Sequence, residues 1–139
     1  MPTSRLRHGT REDLEAVLEL WARADATATV TDSVEALGLL LDADPEALLL
    51  AEVDGRVVGS VIAAWNGWRG SFYRLAVDPR HRRRGLGTRL VSFGEQRLRA
   101  RGAARIDALA ATDEPVARRF WETCGYGSQP ERTRYVRNF

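Results

Sequence analysis

Residues 73–90 read Y-R-L-A-V-D-P-R-H-R-R-R-G-L-G-T-R-L, and few folds accommodate such a run. Leu75, Ala76 and Val77 have strand character. Asp78-Pro79 ends that strand, because proline lacks a backbone donor and disfavours helix at the residue before it. Arg80, Arg82, Arg83 and Arg84 then lead into Gly85-Leu86-Gly87, where a helical pattern begins. A strand, a basic glycine-bearing turn and a helix start aim several backbone N–H groups and the positive end of a helix dipole at one spot. The sequence therefore predicts an anion-binding turn here.

The flanking pattern supplies the rest of a mixed sheet. Arg5 to Arg7 reads as a short edge strand. Thr10 and Asp13 form a capping-box start for a helix carrying Leu14, Val17, Leu18 and Trp21, ending near Arg23. Asp25 to Thr31 is small and polar, the composition of a mobile loop. Thr31-Asp32-Ser33 caps a second helix with Val34, Leu37, Leu40 and Leu41, ending before Pro45. Ala47 to Val53, Arg56 to Trp65 and Phe72 to Val77 read as three antiparallel strands, with Asp54-Gly55 the hairpin turn between the first two.

Beyond the glycines, Leu86, Leu90, Val91, Gly94 and Leu98 share one helical face, with Phe93 beside it, and Gly102 is the stop. Arg105 to Ala111 is a strand, and a strand–helix–strand crossover of this length implies a parallel pair. Thr112 or Asp113 caps a last helix with Pro115 in its first turn. Its inner face is Val116, Ala117, Phe120, Trp121 and Cys124, and Gly125 ends it. Thr133 to Val136 reads as a final strand. The expected class is α/β, a mixed sheet with helices on both faces in the order β-α-α-β-β-β-α-β-α-β, formed by one domain over residues 1–139.

Charge sharpens the functional reading. Residues 1–68 carry 12 acids against 5 arginines, and residues 69–139 carry 7 acids against 16 arginines, within a net charge of +2. No lysine occurs, which excludes Schiff-base chemistry and a Walker P-loop. The basic second half suits a bound polyanion. No apolar run approaches the roughly 18 residues of a membrane span, and Arg5 and Arg7 are followed by no apolar signal region. Cys124 is the single cysteine, which agrees with a reducing cytoplasm. With His8 and His81 as the only histidines, no metal site is expected.

At this point the residues resemble a known family. Val77-x-Pro79-x-x-Arg82-x-x-Gly85-x-Gly87 is similar to the acetyl-CoA signature of the GNAT family of N-acetyltransferases. Ala117-x-x-Phe120-Trp121-Glu122-x-x-Gly125-Tyr126 resembles that family's last-helix motif, and the order of elements matches across nearly the whole chain. The stretch from Gly59 to Gly70, followed by S-F-Y-R-L-A-V, resembles small stand-alone bacterial members.

The resemblance implies that backbone N–H groups from Arg82, Arg83, Arg84, Gly85, Leu86, Gly87 and Thr88 hold the pyrophosphate of acetyl-CoA. It also implies that Leu75, Ala76 and Val77 pair with the pantetheine arm, and that Arg118 and Arg119 meet the adenosine phosphates. The implied reaction is direct attack of an amine on the acetyl group in a ternary complex. The acceptor is an amine of a small molecule or peptide. The acidic first half, which in this family forms much of the acceptor side, favours a cationic acceptor. Neither nucleic acid nor membrane is an expected partner, and pairing of two copies is common in the family.

The chain departs from the family's pattern at the chemistry. Trp121 stands where the last-helix tyrosine, the usual thiolate acid, is found, and Glu114 stands for an asparagine that contacts the pantetheine. Leu109 occupies one common base position. Tyr73, at another, is the candidate for acid or water-mediated base, and Glu52 follows because an apolar strand raises a carboxyl pKa. Trp65, Trp68 and Tyr73 are candidate walls of an acceptor pocket. The alternative is a non-catalytic acyl-CoA-binding or regulatory module. Nucleic-acid binding fits least, since the arginines converge on one turn and not along a stripe with aromatics.

Overall fold

A computed structural model describes residues 3–24 and 26–139. The elements run β1 (Arg5–His8), α1 (Leu14–Arg23), α2 (Val34–Ala43), β2 (Leu48–Val53), β3 (Arg56–Trp65), β4 (Gly70–Val77), α3 (Leu86–Ala100), β5 (Ile106–Ala108) and α4 (Pro115–Thr123). The strands form one sheet in the order β1-β2-β3-β4-β5. The first three pairings are antiparallel and β4–β5 is parallel. This is the expected architecture up to the last strand.

Local chemistry explains most boundaries. The Thr10 N–H donates to Asp13 Oδ2 at 2.8 Å, and a 3-10 turn over Arg11–Asp13 leads into α1. The Ala36 N–H donates to Ser33 Oγ at 3.1 Å, which caps α2. Asp54 and Gly55 both adopt positive φ (51° and 75°), the geometry a two-residue hairpin needs.

The sheet buries both faces. Leu48 and Leu50 of β2 join Val57, Ile62, Leu14, Val17, Leu20, Trp21, Leu37 and Leu41 in one cluster under α1 and α2. Leu49, Ala51 and Val53 point the other way, into a cluster with Val61, Phe72, Leu86, Leu90, Val91 and Leu98 under α3. Burying such side chains stabilises by about 2 kcal/mol apiece. Gly94 lies where a Cβ would come within 2.4 Å of the Phe72 ring, so its absence lets α3 sit close on the sheet.

Three expectations need correction. Thr133 to Val136 is not a strand: Tyr135 is 91% exposed and no partner pairs with it. Its only sheet neighbour would be β5, which is three residues long and offers little ladder to extend. The N-cap of α4 is Glu114, without a side-chain capping bond; Pro115 fixes the start one residue later than Thr112 or Asp113 would. Val116 is 77% exposed and so leaves that helix's inner face, while Ala117, Phe120, Trp121 and Cys124 are half-buried. Asp25, the first residue of the expected loop, lies outside the described residues; Ala26–Thr31 hold neither helix nor strand.

Candidate active site

β4 and β5 diverge. They pair only from Gly70–Phe72 to Ile106–Ala108, so Tyr73–Val77 have no partner on the β5 side. β4 also bulges: Ser60 faces Ala76 and Ile62 faces Tyr73, leaving Arg74 and Leu75 opposite Val61 alone. Arg74 takes φ +55° there. A buried relay holds this bulge. Trp21 Nε1 donates to Ser60 Oγ at 2.8 Å, and Ser60 Oγ donates to the Arg74 carbonyl at 3.0 Å. The Arg74 guanidinium donates to the Thr27 carbonyl at 2.9 Å and to Asp32 Oδ2 at 2.6 Å. One residue thus ties the bulged strand to the segment between α1 and α2.

Where β4 and β5 part, a cleft of about 530 Å³ opens. Its walls include Trp21, Leu37, Leu40, Phe72 and Trp121, with Tyr73, Leu75 and Leu109 at the strand ends. Tyr73, the proton-handling candidate, lies on this cleft and is 49% exposed. Trp65 and Trp68 are not on it, and Trp68 instead lies under the Arg69 guanidinium at 4.0 Å. Glu52 is not on it either. Arg7 Nε donates to Glu52 at 2.8 Å, so this side chain is engaged in an ion pair at the β1–β2 edge, away from the cleft.

Trp121 is a packed wall. Its ring stacks on Phe72 with centroids 5.7 Å apart and meets Phe120 and Tyr126 edge-on at 5.3 and 5.2 Å. The Tyr126 hydroxyl donates to Glu95 Oε2 at 2.6 Å, and burial together with Glu95 pushes its pKa far above that of an ordinary tyrosine. Burial likewise pushes the Cys124 thiol up, which makes it a packing group and not a nucleophile.

The basic turn follows β4 directly. Asp78, buried, accepts from the Arg80 N–H at 2.9 Å and from Arg23 Nε at 3.0 Å. Burial works to raise its pKa, but these donors outweigh it and hold the carboxyl below its ordinary range. Arg82 Nε donates to the Val77 carbonyl at 3.2 Å. Arg83 and Gly85 take φ +64° and +76°, an alternation that turns successive N–H groups inward. Gly85 is the N-cap of α3 and has no side chain to cap it, so the first N–H groups of a 15-residue helix are left open. Among the described residues, no carboxylate pairs with Arg80, Arg82, Arg83 or Arg84, whereas seven other arginines are in ion pairs.

Leu75, Ala76 and Val77 therefore lead along β4 into the turn Arg82–Thr88, and Leu75 lines the cleft. Gly87 also has a packing role. A Cβ there would come within 3.1 Å of Phe120, so this glycine seats α4 against α3. Arg118 and Arg119 are exposed on α4, and Arg118 Nη1 donates to the Thr112 carbonyl at 3.2 Å. Two groups were missed from sequence. The Trp21–Ser60–Arg74 relay joins residues 39 and 14 positions apart. Arg134 reaches the cleft from a segment read as strand.

Several acids of the first half are committed to ion pairs. Asp13 pairs with Arg7, Asp42 with Arg11, Asp44 with Arg97, and Glu46 with Arg101. Among the described residues only Asp32 lines the cleft, and Arg74 neutralises it.

Comparison with known proteins agrees with this geometry. The profile of the GNAT acetyltransferase family matches residues 14–126. An acetyltransferase of Pectobacterium atrosepticum is 37% identical over 116 residues, 84% of this chain and 82% of the relative. The crystal structure of Ard1 from Thermoplasma volcanium superposes with a TM-score of 0.79 at 23% identity, covering 88% of this chain and 81% of that one. An aminoglycoside N-acetyltransferase solved in complex with CoA superposes at 0.76 with 15% identity, over 99% and 96%. At such identities the two structures speak to the fold alone. The profile and the bacterial relative carry the assignment, and this chain belongs to the GNAT family of acetyltransferases.

Proposed function

We propose that this protein moves an acetyl group from acetyl-CoA to an amine in a ternary complex. The observation that carries the reading is the uncapped, unneutralised turn Arg82–Thr88 lying beside the opening between β4 and β5. Its open N–H groups and free guanidiniums fit a pyrophosphate. The unpaired edge of Leu75, Ala76 and Val77 fits an extended pantetheine chain, as an added strand would be held. Acetyl-CoA supplies an activated thioester.

The residues of the chain do the rest. Leu75, Leu109 and Trp121 give the cleft an apolar wall. The amine comes in between α1, α2 and Tyr73, and its nitrogen bonds to the acetyl carbon as the carbon–sulfur bond breaks. The Tyr73 hydroxyl, on the cleft, passes the amine's proton to water and the departing sulfur takes one back. The protein works in a reducing compartment such as the cytoplasm, as an assembly of two copies.

Incubation with acetyl-CoA and a panel of amines, following thiol release, tests this. Turnover that needs both components supports it. Binding of acetyl-CoA with no turnover on any amine would support a non-catalytic acyl-CoA-binding module. Trp121 favours that second reading, since an indole donates no proton to a thiolate and Tyr126 is occupied by Glu95.

A further inference from the structure

Taking the cleft as the acceptor site, as proposed above, its charge identifies the acceptor's class. Three charged side chains line it among the described residues: Asp32, Arg74 and Arg134. Asp32 and Arg74 satisfy one another at 2.6 Å, and Arg74 is held further by the Thr27 carbonyl and lies 5.3 Å over the Trp21 ring. That pair is closed. Arg134, exposed on the C-terminal segment at the rim of the cleft, has no hydrogen bond or ion pair to any described residue, and so it offers one unanswered positive charge beside walls formed by Trp21, Leu37, Leu40 and Phe72. The hydroxyl groups on its walls belong to Thr29, Thr31 and Tyr73.

We infer that the acceptor is an amine that carries its own carboxylate and an apolar body, and that Arg134 is the residue that reads the carboxylate. A guanidinium presents a planar fork that matches a carboxylate. An acceptor bearing several ammonium groups finds no free acid among the described residues that line the cleft. The same charge assists the chemistry: a nearby cation lowers an ammonium pKa, which favours the neutral amine in a cleft whose one described carboxylate, Asp32, is paired with Arg74.

Matched acceptors test the inference: leucine, leucinamide and isoamylamine, with other apolar amino acids beside them, each assayed with acetyl-CoA on the wild type, Arg134→Gln and Arg134→Glu. The carboxylate-bearing member is expected to have the higher kcat/KM. Arg134→Gln should lower it roughly ten- to a hundred-fold through the acceptor KM, a charge-assisted hydrogen bond's worth. The acetyl-CoA KM should stay unchanged, and Arg134→Glu should move preference to isoamylamine. Equal or better use of isoamylamine by the wild type overturns the inference, as does turnover of no carboxylate-bearing amine, or a change in acetyl-CoA KM alone in Arg134→Gln. Calorimetry with acetyl-CoA keeps the two proposals apart. No binding sinks the acetyltransferase reading itself, whereas binding with turnover of neutral amines sinks only the role of Arg134.

Discussion

Arg83 and Gly85 adopt the same left-handed backbone at φ +64° and +76°, but only one of them does so without a steric penalty. An L-residue there costs about 1–2 kcal/mol, so Arg83 is a strained residue kept in a turn that glycine would relax. Arg83→Gly should therefore stabilise the protein by about 1 kcal/mol, roughly 3–5 °C in Tm, while weakening acetyl-CoA binding through the lost cation. A calorimetric melt and a coenzyme titration on one variant read both. Asp78 gives a prediction with a pH signature. Its folded carboxyl titrates below the unfolded value, held down by the Arg80 N–H and Arg23. Its contribution is thus complete above the unfolded pKa of about 3.9 and lost as pH falls through the lower folded value. Asp78→Asn should cost about 1–3 kcal/mol at neutral pH, and denaturation midpoints should show the gap to wild type closing below about pH 4.

At the scale of elements, the bulge in β4 organises the site. It turns Arg74 toward α1 while its carbonyl is held by Ser60, so the coenzyme strand and the α1–α2 segment are positioned by one residue. Asp32→Asn removes the anchor at the far end of that link and leaves a half-buried guanidinium without its partner. The segment Ala26–Ser33 should then exchange its amide hydrogens faster and the acceptor KM should rise, with acetyl-CoA binding unchanged; hydrogen-exchange mass spectrometry and steady-state kinetics check the two halves. The elements themselves were largely legible in the chain, because the faces of α1 and α3 and the hairpin at Asp54-Gly55 are set by local periodicity and turn chemistry. The bulge was not, since register depends on which strand lies alongside. Thr133–Val136 failed for the same reason: alternation marks a chain able to pair, but no adequate partner lies beside it.

Across the whole molecule, the charge asymmetry between the two halves turned out to be a folding device as much as a binding one. The sequence placed the acids and the arginines correctly in number, yet their pairing spans the sheet: Asp78 reaches Arg23, and Asp44 reaches Arg97 at a separation of 53 residues. Long-range pairs leave no periodic trace, so the acid-rich half was read as a receptive surface when most of its ion pairs are internal. The Arg97 side chain is 7% exposed and also donates to the Ala63 carbonyl at 3.1 Å. Asp44→Ala should strand that charge and cost about 3–5 kcal/mol, a loss that urea denaturation would register as a lower midpoint. Among the arginines that no described acid pairs, Arg80, Arg82, Arg83 and Arg84 are gathered in the turn before α3, and this is where the account places the coenzyme. Titrating isotope-labelled protein with acetyl-CoA and following backbone amide shifts tests that placement most directly. Saturable shifts concentrated at Leu75–Val77 and Arg82–Thr88 are the predicted result. Shifts centred elsewhere, or none at saturating coenzyme, would contradict it.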